Sequence, residues 1–442
     1  MRRLGWLGVS VAVMVLAAYA GTPLSGQQQP LPRPYGTPPP LVITATGGKP
    51  VTYKAPRTPW GDPDLQGVWS SDDMEGVGIA GRAGGGGRGG PGGGRGGARA
   101  GAPGAPGAPG AAAATPAAAA PTAAPAGPPP LYRTEEEMKQ RQEQITRSAN
   151  QRDTTADTAF RFDYARRAVP QTRLLVDPPN GVMPQILPSV QGRTMPRGTY
   201  GQGPLNAPTD FSLYERCITR GIGGSILQVI YGNGNRIVQS PGAVAFSYEM
   251  LSDTRVFYTD DRPHVGQAIS MYLGDSRARW EGEELVVETT NLTDQTAFGV
   301  NGNGTQHSKA MKITERFRRI ADDIIQYQAT WDDPLTFAAP FTVSFPLTPL
   351  DGGNLLPYDC HAGNTAISMA LSAERTEDAA LAADLAKGIK RERRGVQECG
   401  AGVGGAAVAG CTPGAPPAGG RGGGRGGGRG GAANTGEDTI EK

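Results

Sequence analysis

Apolar and polar residues alternate with a period of two in several segments between residues 205 and 369. Successive side chains of a β-strand point to opposite sides of a sheet, so this period indicates strands with one buried face. The alternating apolar positions are Val244, Phe246 and Tyr248; Leu285 and Val287; Met311, Ile313 and Phe317; Ile325, Tyr327 and Trp331; and Phe341, Val343, Phe345 and Leu347. The region is therefore predicted to form one sheet.

Short turn signals separate these segments. They are Ser240-Pro241-Gly242, Leu251-Ser252-Asp253, Glu281-Gly282-Glu283, Ala321-Asp322-Asp323 and Asp351-Gly352-Gly353. Strands joined so tightly are antiparallel neighbours, because a parallel pair needs a crossover of about a dozen residues or more. We predict a mainly β fold: an antiparallel up-and-down sheet that curls into a barrel-like domain, with a C-terminal helix and long disordered Gly/Ala/Pro-rich segments.

Much of the chain lacks side chains that could build a core. Of its 442 residues, 67 are Gly and 39 are Pro, and such stretches bury too little apolar surface to offset the entropy of ordering. The predicted order is a signal sequence (1–20), a disordered lead-in (21–58), the first strand of the β domain (59–75), a disordered Gly/Ala/Pro-rich insert (76–131), a surface helix (132–152), an irregular linker (153–204), the β-rich core (205–370), a helix (371–395) and a disordered tail (396–442).

The first residues have the pattern of a signal sequence. A short basic start, Met1-Arg2-Arg3, precedes an apolar stretch that ends in the small-x-small site Ala18-Tyr19-Ala20. Cleavage after Ala20 is expected, which predicts an exported protein, periplasmic or extracellular. The alternative is that the segment is retained as an anchor. No second long apolar segment follows, so no transmembrane span is predicted after cleavage.

Four cysteines in an exported chain favour two disulfides. Cys217 stands before the first alternating strands and Cys360 after the last, at the two ends that a closing sheet would bring together. We therefore predict that these two pair, and that Cys399 pairs with Cys411. The alternative leaves Cys360 as a reactive thiolate beside His361.

Helical signals flank the predicted sheet. Thr134 and Glu137 match a capping box, in which each residue bonds the backbone of the other at the start of a helix. Ile367, Leu371, Leu381, Leu385 and Ile389 then have helical spacing, and the basic run 390–394 suits a helix C-terminus. This second helix is expected to cover one end or face of the sheet.

The charge balance argues against some partners. The net charge is only +2, so no strong field favours nucleic acid or an anionic membrane. The Arg-Gly-Gly runs are interpreted as solvated linker, and no nucleic-acid partner is predicted. The sequence identifies no cofactor, and protein partners are left open.

The densest polar and aromatic cluster lies at residues 275–281. On a strand, Arg277 and Arg279 share one face and Trp280 points to the other. One interpretation is an Arg-carboxylate network on the solvent face with Trp280 in the core. The other is a barrel mouth that binds an anionic or sugar-like ligand. The candidate ligand-binding residues are Arg262, His264, Asp275, Arg277, Arg279, Trp280 and His361.

An extracellular hydrolase is the main alternative function. His264 and His361 could converge with a carboxylate such as Asp275, as a metal set or as part of a Ser-His-Asp triad with Ser276. No spacing motif forces this convergence, and no metal site is predicted. His307 is interpreted as a solvated loop residue. Whether the chain is an enzyme is left open.

Several segments resemble a family of exported bacterial proteins of unknown function. They are residues 60–69 (WGDPDLQGVW), 262–264 (RPH), 274–282 (GDSRARWEG), 285–291 (LVVETTN), 314–317 (TERF), 331–334 (WDDP) and 358–364 (YDCHAGN). The resemblance implies export and no particular activity. Residues 67–69 (GVW) also resemble the Gly-x-Trp of a lipocalin-like first strand. The preferred function is binding of a small molecule or envelope component, the third possibility being a structural envelope protein.

Overall fold

A computed structural model describes residues 31–80, 130–150, 163–191, 193, 205–229, 231–299, 302, 304–350, 352–391 and 393. The predicted signal sequence, most of the predicted insert, and the predicted tail beyond Arg393 lie outside the described residues. Cys399 and Cys411 are among the undescribed positions, so their predicted pairing stays a prediction.

Twelve strands form in the described residues. They are β1 (Gly67–Ser70), β2 (Leu175–Asp177), β3 (Gly234–Ser240), β4 (Ala243–Tyr248), β5 (Thr254–Tyr258), β6 (Asp275–Glu281), β7 (Glu284–Thr290), β8 (Ala297–Phe298), β9 (Thr305–Gln306), β10 (Lys312–Ala321), β11 (Ile324–Asp332) and β12 (Phe341–Pro349). The fold is mainly β, as predicted from the period of two.

Nine of these strands close into a barrel. The order is β1-β3-β4-β5-β6-β7-β10-β11-β12, and β12 pairs back to β1. Most neighbours are antiparallel, which confirms the up-and-down prediction. The exception is β5 beside β6, which run parallel with Tyr258 opposite Arg277, because residues 259–274 return the chain to the same end before β6 begins.

Alternate residues of the strands fill the barrel interior with aromatic side chains. Phe317 is central: its ring centroid lies 5.5 Å from that of Phe246 and 5.0 Å from that of Tyr327, which in turn lies 5.1 Å from Phe345. All four residues are almost fully buried and belong to one core. Offset rings of this kind pack densely, so the interior is a folding core.

Irregular segments cover the outer face of β11 and β12, which is polar and buried. Gln326 accepts hydrogen bonds from the amides of Thr44 (3.1 Å) and Ala45 (3.0 Å), and Gln328 accepts one from the amide of Val42 (2.8 Å). Residues 31–58 therefore lie against the barrel, which differs from the predicted disordered lead-in. The sequence pattern missed this because backbone amides, not apolar side chains, make the contacts.

The predicted irregular linker also contributes to the barrel. Its strand β2 pairs with β12, with Leu175 opposite Val343, along the edge where β12 is not covered by β1. Leu174 and Leu175 are buried in the core. A strand of three residues is too short to produce a visible alternation, so the linker pattern could not reveal it.

The described residues contain three α-helices: α1 (Glu135–Asn150), α2 (Gly221–Ile226) and α3 (Ala366–Ala386). The capping box of α1 is confirmed: the Thr134 amide donates to Glu137 (2.7 Å), and the Glu137 amide donates to Thr134 Oγ1 (3.2 Å). None of the helices in the described residues is both long and apolar enough to cross a membrane.

The C-terminal helix α3 is present, but its bounds and packing differ from the prediction. It begins and ends earlier than 371–395, and Gly388, with φ +73°, follows its end. Its buried side packs against Leu205 and Phe211. The basic residues beyond it fold back, because Arg391 and Arg393 pair with acidic residues of the helix. Arg391 and Arg393 thus form ion pairs with acidic side chains of α3, whereas the prediction had basic residues next to the backbone carbonyls at its C-terminus.

Candidate functional site

Four sequence-predicted residues meet on the outer wall of the barrel. Asp275 at the start of β6 is the hub: its Oδ2 accepts from His264 Nδ1 (2.9 Å), and its Oδ1 accepts from Arg277 Nη1 (2.7 Å). The far nitrogen of His264, Nε2, lies 3.7 Å from Glu288 Oε1. Arg262 stacks on Tyr258 with its Cζ 3.8 Å from the ring centroid.

This wall cluster is largely neutralised by its own members. Arg262 donates to Asp260 (2.8 Å from Nε to Oδ1), and Arg277 is held by Asp275 and by the Pro263 carbonyl. Both cations therefore already have anionic partners on an exposed surface. The arrangement matches the Arg-carboxylate network, and ligand binding by these residues stays a prediction.

The remaining sequence-predicted residues lie elsewhere. Arg279 is exposed and pairs with Glu281 (2.6 Å). Trp280 is half-buried and packs against the barrel core. His361 lies on an exposed loop beside Cys360, and no contact in the described residues joins it to His264.

The hydrolase arrangements do not assemble in the described residues. Ser276 faces the barrel interior, 2.9 Å from Thr289 Oγ1, so it cannot meet His264 on the outer wall. No group of three or more His, Cys, Asp or Glu in the described residues could hold a metal.

His307 is buried, contrary to the prediction of a solvated loop residue: its Nδ1 donates to the Ser308 carbonyl and its Nε2 accepts from Thr296. Burial lowers its pKa.

A buried ion pair crosses the barrel interior. Arg255 of β5 binds Glu315 of β10 through both terminal nitrogens, at 2.6 Å and 3.0 Å. Arg255 also donates to Tyr248 and Thr289, while Tyr327 donates to Glu315 (3.0 Å). The network is internally satisfied around its terminal nitrogens and oxygens, which is the condition for a charged pair to be tolerated in a core.

The electrostatics of the interior follow from this pair. Burial is the largest single influence on the pKa of Arg255 and opposes its charged form, but the charges of Glu315 and Tyr248 and their hydrogen bonds together outweigh burial and raise that pKa. Burial raises the pKa of Tyr248 to about 12, and burial together with the charge of Glu315 raises that of Tyr327. These groups stay in one protonation state near neutral pH, so the network is structural.

A different cation lies at the base of the barrel, the end at which β3 and β5 begin and β4 ends. Arg220, just before α2, is 1% exposed. Its three side-chain nitrogens, Nε, Nη1 and Nη2, have no hydrogen-bond partner among the described residues. A buried guanidinium without hydrogen bonds costs several kcal/mol, and native proteins rarely leave such groups unpaired without a functional reason.

Three tyrosines surround this guanidinium. The Arg220 Cζ lies 5.5 Å from the ring centroid of Tyr214, whose hydroxyl is 3.5 Å from that of Tyr231. Tyr214 also hydrogen bonds with Tyr358. All three tyrosines are partly exposed whereas Arg220 is not. The tyrosines are therefore more accessible to solvent than the guanidinium. We call Arg220 and these tyrosines the base site.

Local structure fixes the base site. Thr219 Oγ1 donates to Asp253 (2.7 Å) in the β4–β5 turn and accepts from the Gly221 amide (3.0 Å), which holds the chain on both sides of Arg220. The disulfide between Cys217 and Cys360 then ties the loop that carries Tyr358 to this segment. It confirms the predicted pairing and excludes a free Cys360 thiolate.

No hydrogen bond between described residues stabilises the charge on the Arg220 side chain. Burial lowers its pKa to about 10, so the group is still a cation at neutral pH. The nearby phenols and Asp253 favour the charged form. Burial raises the pKa of Asp253, whose hydrogen bond from Thr219 and proximity to Arg220 act the other way. The base site therefore contains a buried cation whose side-chain nitrogens have no hydrogen-bond partner among the described residues.

A second buried polar group lies near the end of β1. Asp72 accepts a hydrogen bond from Asn233 Nδ2 (2.9 Å), and the same amide group reaches Asp163 (3.3 Å). Burial, followed by the charge of Asp163, raises the pKa of Asp72 to about 7, although hydrogen bonds from Ser70 and Asn233 oppose the shift. Asp72 therefore titrates in the neutral range.

This pKa predicts a pH-dependent stability. Because the folded pKa of Asp72 lies above its ordinary value of 3.8, its contribution to stability is full below that value and is lost as the pH rises through about 7. Asp72→Asn should raise the free energy of unfolding at pH 8 by up to about 4 kcal/mol, with little effect at pH 4. Chemical unfolding at both pH values measures this. The exposed Asp261→Asn is the control, and an equal response in both variants would contradict the assignment.

Comparisons with protein-family models, with curated proteins and with solved structures found no match. The function is therefore inferred from the chemistry of the site itself.

Arg220 was not identified from the sequence, because no motif or periodic pattern in the neighbouring sequence marks it. The one available signal was the Cys217–Cys360 pairing, since it places Tyr358 next to the segment that carries Tyr214.

Proposed function

We propose that this chain is an exported binding protein whose closed barrel holds a small anionic molecule at the base site. The observation that carries the proposal is the fully buried guanidinium of Arg220, which lacks hydrogen-bond partners among the described residues. An anion at this position would accept hydrogen bonds from a guanidinium that is already desolvated. The interaction is strong in such surroundings, because few water dipoles screen it.

The tyrosines suit this role. Their hydroxyls can donate to an anion and their rings offer apolar walls, a combination common in small-molecule sites. They are also partly exposed, so they are the part of the base site that a ligand in solution would meet first. The filled barrel interior leaves the base as the preferred place for a ligand.

Export is supported by three features. Residues 1–20 have the pattern of a cleaved signal sequence. A disulfide that joins residues 143 positions apart is typical of proteins that fold in an oxidising compartment. The resemblance of several segments to exported bacterial proteins points the same way, and membership of that family stays a proposal.

Native mass spectrometry of the full chain purified from a producing cell tests the proposal. The wild type should carry a small molecule that dissociates at higher collision energy, and Arg220→Met should lose it. The matched control is Arg236→Met, because Arg236 is exposed on the barrel wall. The same spectrum should give the mass of residues 21–442. A ligand retained equally by Arg220→Met would contradict the proposal.

A further inference from the structure

We infer that the base site selects a monocarboxylate attached to an apolar or aromatic body, over phosphate or sulfate. This inference rests on the proposed function and narrows its ligand class. Two features of the site favour this ligand class: the charge that surrounds Arg220 and the character of the surrounding walls. The donor geometry of the Arg220 side chain suits a carboxylate and a phosphate equally.

The charge of the site favours a monoanion. Among the described residues that influence Arg220 electrostatically are three phenols and one carboxylate, that of Asp253, and each favours a positive guanidinium. Because the Asp253 carboxylate also lies near Arg220, each negative charge on a ligand is repelled by Asp253 as well as attracted by Arg220. A carboxylate brings one such charge and a doubly ionised phosphate or sulfate brings two, so the repulsion is smaller for the monoanion.

The donors of Arg220 match a carboxylate. A planar guanidinium offers two parallel N–H groups that bind both oxygens of a carboxylate at once. Nε, Nη1 and Nη2 are all buried and without partners among the described residues, so such a pair of donors is available without breaking an existing bond. The hydroxyls of Tyr214 and Tyr231, 3.5 Å apart, form a pair in which either can donate, so a ligand oxygen could replace one of them as acceptor.

The walls of the site favour an apolar body on the ligand. The Tyr214 ring lies against the Arg220 guanidinium, and the Tyr214 hydroxyl lies 4.0 Å from Met250 Sδ. Rings and thioethers make good contacts with aromatic or aliphatic groups. A bare inorganic anion would leave these surfaces unused.

Thermal unfolding of the full chain with benzoate, acetate, phosphate or sulfate, at equal ionic strength, tests the inference. A ligand that binds only the folded state raises the midpoint temperature. Benzoate should raise it by several degrees, acetate less, and phosphate and sulfate not at all. The benzoate shift should vanish in Arg220→Met and persist in Arg236→Met. In calorimetry, Tyr214→Phe should weaken benzoate binding about three- to tenfold, the usual effect of losing one hydrogen bond.

Each other outcome has a defined meaning. If phosphate or sulfate produces an Arg220-dependent shift as large as that of benzoate, the monocarboxylate inference is wrong and the anion site stands. If benzoate gives no shift that depends on Arg220, the inference is overturned whatever the other anions do. A co-purified molecule that is lost in Arg220→Met would then still support the proposed function, so the two failures can be told apart.

Discussion

Glu315→Gln is expected to lower the free energy of unfolding by about 3 to 5 kcal/mol, the cost of leaving a buried charge without its partner. Arg255 would remain fully buried in the barrel interior, facing a neutral amide in place of a carboxylate. Tyr327 would also lose the charge on its acceptor. Urea-induced unfolding measures the loss, with fluorescence and circular dichroism recorded together to check two-state behaviour.

A matched variant separates burial from charge. Glu281→Gln removes a carboxylate that pairs with Arg279 and Arg316 on the exposed wall of the same barrel. Exposed pairs contribute about 1 kcal/mol or less, so this control should change stability little. If both variants lose the same free energy of unfolding, the buried Arg255–Glu315 pair contributes no more to stability than an exposed pair, and this prediction is wrong.

Loss of the disulfide should have an effect of similar size. Cys217 and Cys360 close a loop with a sequence separation of 143 residues. The chain-entropy model assigns such a long loop on the order of 4 to 5 kcal/mol, through restriction of the unfolded chain. The double variant Cys217→Ser/Cys360→Ser should be destabilised by up to this amount. It should also bind ligand more weakly, since the loop carrying Tyr358 is no longer tied to the segment before Arg220.

Reductant provides the control for the disulfide. A reducing agent should lower the unfolding midpoint of the wild type towards that of the double variant, and should leave the double variant unchanged. If reduction leaves the wild-type midpoint in place, the bridge contributes little. The stabilising role assigned to it would then be wrong.

The barrel strands were predictable because the alternation of apolar and polar residues is a local property of each strand. Alternating residues such as Ile313 and Phe317, or Tyr327 and Phe345, reveal strands without any knowledge of their partners. The same alternation could have shown that Arg255 and Glu315 face the barrel interior. Glu315 lies between two inward-facing apolar positions of β10, and Arg255 shares its inward face with Phe257 on β5. A charged residue at an inward position is the signal that was overlooked.

Other features could not be predicted, for physical reasons. The parallel pairing of β5 with β6 depends on how residues 259–274 return along the barrel, and no periodicity encodes that path. The base site is assembled from three separate segments around Arg220, Tyr231 and Tyr358. Only tertiary contacts bring these together. By contrast, Asp275 and Arg277 are two residues apart on β6, and their shared position on the wall followed from strand geometry.

The role of Arg220 in binding can be tested on the stability of the ligand-free Arg220→Met variant. If Arg220 is kept as an unpaired buried cation for binding, its replacement by an apolar side chain of similar length breaks no hydrogen bond between described residues and removes a desolvation cost. We expect Arg220→Met to have a free energy of unfolding equal to or above that of the wild type, and to lose ligand binding. A loss of about 2 kcal/mol or more, the cost typical of a broken buried interaction, would contradict this expectation.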